Sequence, residues 1–190
     1  MKRIAIVLLL ASCHGGAVKN AGDAKLTVER LYPLRAGSVW SYDVDTGEGP
    51  PTLAITRVTH AGEGKAEVSS GGAPITYEQR SDGLFRADRG VYVLKEPLAQ
   101  GTQWDVGQGG TASITAVGKH VSTVAGEFDG CLEVTESEPA AQKQVRTVFC
   151  PDVGPAEVES TITLQVSARG ARVYARLRGY DFAGALGAPP

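Results

Sequence analysis

The chain has 190 residues, with 19 Lys and Arg, 21 Asp and Glu, and a formal net charge of −2 at pH 7. This length suits one domain with its own hydrophobic core. The mildly acidic balance lacks the basic surface that nucleic-acid-binding proteins carry, so we expect no nucleic-acid partner. Glycine (24 residues) and proline (10 residues) are abundant, which is typical of β-rich chains with many turns.

The first 13 residues predict export and lipidation. Lys2 and Arg3 precede the apolar run Ile4–Leu10, which is too short to cross a bilayer as a helix. The run leads into Leu10-Ala11-Ser12-Cys13, which resembles the lipobox of bacterial lipoprotein signal peptides. The resemblance implies a signal peptide over residues 1–12 and a lipid on Cys13, the first residue of the mature chain. An ordinary secretory signal that is cut nearby is the alternative.

The residues after Cys13 predict a tether and a location. Residues 13–25 are small and polar, as in linkers between a lipidated cysteine and a folded domain. The membrane contact would then be the lipid on Cys13 alone. Many lipoproteins that stay in the inner membrane have Asp after this cysteine, whereas this chain has His14. The resemblance therefore implies an outer-membrane protein that faces the periplasm.

The rest of the chain predicts a single all-β domain over residues 26–183, followed by a flexible tail over 184–190. Segments rich in Val, Thr, Ile and Tyr alternate with Gly, Pro, Asp and Ser turns, and no window has a convincing helical period. The pattern predicts strands at Val39–Val44, Leu53–His60, Lys65–Ser69, Ile75–Arg80, Gly83–Ala87, Val91–Lys95, Gln103–Val106, Ala112–Lys119, Val121–Ala125, Cys131–Ser137, Gln144–Phe149, Val158–Ser167 and Ala171–Asp181.

The two remaining cysteines, Cys131 and Cys150, predict a disulfide. An exported protein folds where disulfides persist, and lipidation of Cys13 would leave an even number of thiols. If their segments pair antiparallel around a turn near Glu138-Pro139-Ala140, the bridge joins the far ends of that hairpin. Closing this loop would contribute about 3 kcal/mol. Two separate buried thiols are the alternative.

A short motif occurs twice and contains both tryptophans. Pro33-Leu34-x-x-Gly37-Ser38-x-Trp40 is repeated as Pro97-Leu98-x-x-Gly101-Thr102-x-Trp104, and we call this the Pro-Leu motif. One interpretation is a turn used twice to begin a core strand. The others are an ancient duplication or two aromatic walls of one cavity. On the cavity interpretation, Trp40, Tyr42 and Trp104 are the candidate ligand-binding residues.

The last two strands have the clearest alternation. Val158, Ser160, Ile162, Leu164 and Val166 share one face of the first strand, and Ala171, Val173, Ala175 and Leu177 share the inward face of the second. Arg172, Arg176 and Arg178, with Tyr174 and Tyr180, form an outward row. A turn centred between Ala168 and Arg169 would place Glu159 near Arg178. One interpretation of the arginine row is a binding site for an anionic glycan or lipid headgroup. The other is a solvated face on which the arginines pair with Glu157 and Glu159.

Three stretches resemble a known family. They are Trp40-Ser41-Tyr42, residues 124–134 (VAGEFDGCLEV) and Phe149-Cys150-Pro151-Asp152-Val153-Gly154. The chain is identified with an uncharacterised family of exported bacterial β-sheet lipoproteins, loosely similar to lipoprotein carriers. The resemblance implies an antiparallel meander that forms a curved sheet or partly closed barrel with little or no helix. It implies no activity.

Several short patterns are similar to parts of known catalytic or metal-binding sites. Asp45-Thr46-Gly47 matches the tripeptide of aspartic proteases, but it has no second copy and is followed by Glu48, so a hairpin loop explains it better. Asp43, Asp45 and Glu48 lack the remaining ligands of a calcium loop. His14, His60 and His120 are far apart, so we expect no metal site. We expect no catalytic residue and no cofactor.

Three functions remain. The leading hypothesis is an envelope lipoprotein without enzymatic activity that binds an apolar ligand, or an envelope protein, through its β-domain. A structural or assembly lipoprotein with a filled core is the first alternative. A hydrolase that uses Asp45 is a distant one. A ligand carrier requires an open apolar concavity, whereas a hydrolase requires two titratable groups in one cleft.

Overall fold

The computed structural model describes residues 25–163 and 170–182, and within them the all-β prediction is confirmed. The predicted signal peptide, Cys13, the tail over 184–190 and the predicted turn at residues 168–169 lie outside the described residues. No helix in the described ranges is both long and apolar enough to span a bilayer.

The described residues form one short helix, one 3₁₀ turn and 12 strands. The elements are α1 (Val28–Leu31), β1 (Val39–Asp45), β2 (Thr52–Gly62), β3 (Lys65–Ser69), β4 (Ile75–Arg80), β5 (Gly83–Arg86), β6 (Val91–Lys95), β7 (Gln103–Asp105), β8 (Thr111–Thr123), β9 (Gly126–Glu138), a 3₁₀ turn (Pro139–Ala141), β10 (Lys143–Cys150), β11 (Gly154–Ile162) and β12 (Ala171–Asp181).

The strands form one antiparallel sheet that curves into a nearly closed barrel, as predicted. The order across the sheet is β6-β5-β4-β3-β2-β1-β12-β11-β10-β9-β8-β7. Two six-stranded meanders, β1–β6 and β7–β12, are thus joined by the pairing of β1 with β12. The outer strands β6 and β7 face each other without a continuous ladder. The Trp104 indole N–H donates to Tyr92 O at 3.0 Å across this β6/β7 seam.

The two ends of the barrel differ. Because successive strands run in opposite directions, their connections alternate between the ends. At one end, α1 packs on the β10–β11 turn: the Arg30 guanidinium donates to the Asp152 carboxylate, and the Asp152 N–H donates to Arg30 O. We call this the α1 end. The opposite end, with the β5–β6 and β9–β10 turns, has no helix across it in the described residues, and we call it the open end.

Two predicted strands are one strand in the structure. The segments predicted at Ala112–Lys119 and Val121–Ala125 form the single strand β8, which pairs with β9 along its whole length. Gly118 has φ +77° and lies at a register shift in this pairing, so it makes a β-bulge rather than a turn. The described residues therefore contain 12 strands where the sequence predicted 13.

The structure contains the predicted disulfide. Strands β9 and β10 pair antiparallel around the 3₁₀ turn, and Phe149 lies opposite Leu132. The next pair along is Cys131 and Cys150, whose Cα atoms are 4.2 Å apart and whose sulfurs are bonded. Both cysteines are fully buried. The bridge therefore joins the far ends of the hairpin, within the core of the barrel.

Both copies of the Pro-Leu motif make the same backbone hydrogen bonds. In the first, the glycine N–H donates to Val58 O and the Val58 N–H donates to Ser38 O, both at 2.9 Å. In the second, the glycine donates to Ile114 O and Ile114 donates to Thr102 O, again at 2.9 Å. Each copy leads into the first strand of one six-stranded meander, β1 or β7. The geometry supports the interpretation of a turn that is used twice to begin a core strand.

The register predicted for the last hairpin is wrong. Glu159 lies opposite Tyr174 rather than Arg178, and its carboxylate pairs with Arg172 at 2.6 Å. Arg178 instead pairs with Asp43 at 2.9 Å, because the ladder between β12 and β1 brings them together. The residue opposite Glu159 is therefore four positions away from the predicted one. Since this is an even number, the predicted faces are unchanged up to Arg178. The β-bulge opposite Ser41 and Tyr42 then places Tyr180 opposite the buried Trp40, so its predicted place in the outward row is wrong.

A candidate ligand cavity in the barrel

An aromatic cluster fills the middle of the barrel. The ring centroid of Tyr32 lies 5.6 Å from that of Trp40, 5.7 Å from Tyr77 and 6.0 Å from Phe149. Such tilted and edge-on contacts stabilise aromatic cores beyond their buried area. Burial raises the pKa of Tyr32 and of Tyr77 above the ordinary tyrosine value, so both hydroxyls stay protonated. This cluster separates two cavities.

The first cavity, which we call the open-end cavity, lies between the aromatic cluster and the open end of the barrel. Its volume is about 290 Å³. The lining residues come from the loop after α1, from β4, β5, β6 and the β5–β6 turn, and from β9, β10 and β11, so they face one another across the seam of the barrel. They are Tyr32, Tyr77, Arg86, Arg89, Val91, Tyr92, Val93, Glu136, Lys143, Val145, Thr147, Phe149, Pro155 and Val158.

The polar and apolar residues of this cavity are segregated along the barrel. Val145, Thr147 and Phe149 follow each other on the inward face of β10 and lead down to the aromatic cluster. Lys143, at the start of β10, lies towards the open end. Arg86 and Arg89, at the β5–β6 turn, lie at the same end. The cavity therefore has an apolar interior and a charged mouth.

Ion pairs connect the two sides of the mouth. Arg89 Nη2 lies 3.1 Å from Glu138 Oε1, and Lys143 Nζ lies 3.3 Å from the same oxygen. Arg86 donates two hydrogen bonds of 2.8 Å to Asp88 within its own turn. The Arg89–Glu138 pair thus links the β5–β6 turn to the β9–β10 turn. Arginine and lysine donors pull the pKa of Glu138 below its ordinary value, although partial burial opposes them.

Glu136 is the one ionisable group of the mouth that has no hydrogen bond or ion pair within the described ranges. It follows Leu132 and Val134 on the inward face of β9, and both of those residues are buried. Burial raises the pKa of Glu136, and the nearby Arg89 and Lys143 only partly oppose this effect. Its half-buried carboxyl group therefore lines the cavity without a hydrogen-bond partner among the described residues.

The second cavity lies at the α1 end and is of similar volume, about 290 Å³. It lies between the loop after α1 and strands β2–β5. Tyr32 and Tyr77 line both cavities, so the aromatic cluster is the wall between them. The other lining residues are Glu29, Pro33, Leu34, Arg35, Ala61, Gly62, Gly64, Lys65, Ala66, Gln79 and Leu84.

The three aromatic residues predicted to contact a ligand lie in the packed interior. Trp40 is fully buried and donates to Val153 O at 2.7 Å, and Tyr42 donates to Pro155 O at 2.9 Å. Trp104 is buried at the β6/β7 seam, far from β1 in the order of the sheet. None of them lines either cavity described above. This placement favours a packing role, and ligand contact by these residues stays a prediction.

The predicted row of arginines carries carboxylate partners on the outer face. Arg172 pairs with Glu159 at 2.6 Å, and Arg176 lies 3.7 Å from Glu157. Arg178 pairs with Asp43, as described above. The row thus matches the interpretation of a solvated, paired face, and binding of an anionic headgroup there stays a prediction.

Asp45 and His120 make local contacts in the described residues. Asp45 Oδ1 accepts the Gly47 N–H at 2.7 Å, which is the hydrogen bond of a local turn. His120 lies within β8 and contacts Asp129 on β9 at 2.7 Å. The described ranges contain no group of three or more His, Cys, Asp or Glu that could hold a metal ion.

The charged mouth of the cavity is not among the sites predicted from the sequence. The signal was present in β9 and β10, where an inward face of Leu132 and Val134 continues into Glu136 and Glu138. Charged residues at inward positions near a strand end indicate an opening towards water. The position of Arg89 opposite them depends on closure of the barrel, for which the sequence gives no local signal.

Comparison with known proteins finds similarity only among solved structures. No family model matches the chain, and no curated protein matches it. Two crystal structures are similar: a protein provisionally described as a lipoprotein, from Parabacteroides distasonis, and one provisionally described as exported, with a YmcC-like fold, from Bacteroides fragilis. Each has 13% identity and a TM-score of 0.43, with 80% of this chain and 98% of the other covered.

Proposed function

We propose that this protein is an envelope lipoprotein without enzymatic activity, anchored to the outer membrane by a lipid on Cys13, that binds one small apolar or amphipathic molecule. The open-end cavity is the binding site. The observation that carries the proposal is the segregation of this cavity into an apolar interior and a polar mouth at an uncovered end of the barrel.

The size and lining of the cavity support this function. A volume of about 290 Å³ lies at the lower limit of ordinary ligand sites, which span roughly 300–1,000 Å³. Val91, Val93, Val145 and Val158 contribute walls without hydrogen-bonding groups. Such walls favour an aliphatic or aromatic group, and each buried methylene of the ligand would contribute about 0.8 kcal/mol.

A protein partner is the second candidate, and the outer face of β2 favours it. Leu53 and Ile55 point outward, opposite Asp43 and Ser41 of β1, with 60% and 46% of their surfaces exposed. Two adjacent exposed aliphatic residues on a strand that also carries Arg57 form a small apolar patch. This patch does not involve the cavity, so variants separate the two candidates.

Native mass spectrometry tests the cavity. The mature chain, residues 13–190 with Cys13→Ser behind a cleavable secretory signal, is purified from a bacterial periplasm without detergent. We expect a fraction that carries a bound small molecule, which solvent extraction removes. Val145→Phe, which fills the cavity, is expected to reduce that fraction at least fivefold. Val124→Phe, at an exposed hairpin tip, is the matched control and leaves it unchanged. Equal loading in both variants would contradict the proposal.

A further inference from the structure

The mouth of the open-end cavity has more hydrogen-bond donors than acceptors. A guanidinium has five N–H donors and an ammonium has three. Arg86 uses two donors on Asp88, Arg89 uses one on Glu138, and Lys143 uses one on Glu138. Most donors of these three side chains are therefore available to a ligand or to water.

The acceptors at the mouth are mostly in use. Asp88 and Glu138 are held by the three cations, which leaves Glu136 as the one free carboxyl group of the cluster in the described residues. If Glu136 is ionised, the cluster of six groups has no net charge. If it is protonated, the cluster has a net charge of +1 and Glu136 becomes a further donor. A polar ligand group at this place meets a donor-rich, positively charged rim.

We propose that the ligand of the open-end cavity is an amphiphile with one anionic headgroup, a carboxylate or a phosphate, which binds Arg86, Arg89 and Lys143 beside Glu136. The proposal rests on the proposed function, because the apolar part of the ligand occupies the cavity below. Charge-assisted hydrogen bonds between an anion and arginine are stronger than hydrogen bonds between neutral groups, and they fix the orientation of such a ligand. A cationic headgroup would face three cations, and an uncharged one would leave their donors unused.

This arrangement makes binding depend on pH. An anion beside Glu136 disfavours the ionised carboxyl, so binding raises the pKa of Glu136 further, and burial has already raised it. By linkage, the ligand binds more tightly as the pH falls from the pKa of Glu136 in the complex towards its lower pKa in the free protein. The charged and titratable groups around Glu136 are Glu138 on its own strand, Lys143 on β10, Arg86, Asp88 and Arg89 at the β5–β6 turn, and Tyr77 on β4. Of these, Glu136 is the group whose pKa moves towards neutral pH.

Calorimetry with two probes tests the proposal on the same mature Cys13→Ser chain. Decyl sulfonate has a permanent negative charge, and decyl methyl sulfoxide has the same chain without one. We expect decyl sulfonate to bind about tenfold more tightly than the sulfoxide at pH 5.5, and its affinity to fall as the pH rises to 8. Arg89→Gln should weaken the sulfonate about tenfold and leave the sulfoxide unchanged, which also reports that the variant is folded. Arg172→Gln, on the outer face, is the matched control and should change neither.

Glu136→Gln is the decisive variant. It should tighten decyl sulfonate roughly fivefold at pH 8 and abolish the pH dependence, because a neutral amide replaces the carboxylate. Equal affinity for both probes, or a pH dependence that persists in Glu136→Gln, would overturn the inference and leave the proposed function standing. Binding of neither probe would contradict the proposed function itself. If inorganic phosphate displaced decyl sulfonate completely at an equal concentration, the mouth would be an anion site without a role for the apolar cavity, which also overturns the inference.

Discussion

At the scale of single residues, Gly154 is needed for the position of the Trp40 indole in the aromatic cluster. It begins β11 with φ +104°, and a Cβ atom there would lie 3.0 Å from Trp40 Nε1. The indole N–H at this place donates to Val153 O, the residue before the glycine. A side chain at position 154 would therefore both strain the backbone and push the indole away from its acceptor.

We predict that Gly154→Ala lowers the free energy of unfolding by about 2–3 kcal/mol, from the positive φ and the overpacking of Trp40 together. Urea unfolding monitored by tryptophan fluorescence measures the change. Gly72→Ala is the control, because Gly72 has no positive φ and no atom within 4 Å of an added Cβ. A Gly154→Ala variant as stable as Gly72→Ala would show that the indole position is not fixed by this contact.

At the scale of elements, most strands follow from alternation and turn residues, but their partners do not. Within the described residues, the predicted faces of β11 and of β12 up to Arg178 are confirmed, whereas the predicted pairing of Glu159 is wrong. The alternation of apolar and polar residues has a period of two, so it predicts which face of the sheet each side chain occupies. It does not distinguish two registers that differ by an even number of residues. The register of β12 depends on its other neighbour, β1, which is more than 100 residues away in sequence.

The β9–β10 hairpin was predicted with its disulfide, since both ends were visible as strands that contain one cysteine each. We predict that Cys131→Ala with Cys150→Ala lowers the free energy of unfolding by about 2–4 kcal/mol. Thermal unfolding of the wild type and the double variant, both without reductant, measures this. Wild type with reductant should shift towards the double variant. A double variant with unchanged stability would mean that the bridge adds nothing to a hairpin that is already held by its neighbours.

At the scale of the whole molecule, closure of the barrel is implied by the family resemblance and not by any local pattern in the sequence. The all-β class and the antiparallel meander follow from residue alternation and turn residues in each segment. The contact between β6 and β7, in contrast, requires the curvature of all 12 strands in the described residues. The mouth of the cavity depends on the same closure, since Arg89 and Glu138 lie on opposite sides of the seam. The inward glutamates of β9 indicate an opening already in the sequence, whereas Arg89, which faces them, could for this reason not be assigned to the same site before the barrel is closed.

The seam has a testable hydrogen bond. We predict that Trp104→Phe, which removes the indole N–H that donates to Tyr92 O, lowers the free energy of unfolding by about 1–3 kcal/mol. Hydrogen exchange should accelerate at amides of β6 and β7 and remain slow in β9 and β10. Tyr92→Phe is the control, since it keeps the Tyr92 carbonyl and removes only a hydroxyl that donates to Asp82. Uniform acceleration across the sheet would contradict a local role in closing the seam.

The central claim is that the open-end cavity admits a ligand, and methyl NMR of valine-labelled protein tests it most directly. On titration with decyl sulfonate at pH 5.5, we predict saturable shifts at Val91, Val93, Val145 and Val158, which line the cavity. The exposed Val117 and Val124 on the outside should not shift. Shifts confined to the outer valines, or none at the cavity valines up to millimolar probe, would contradict the account and return the interior of the barrel to a filled structural core.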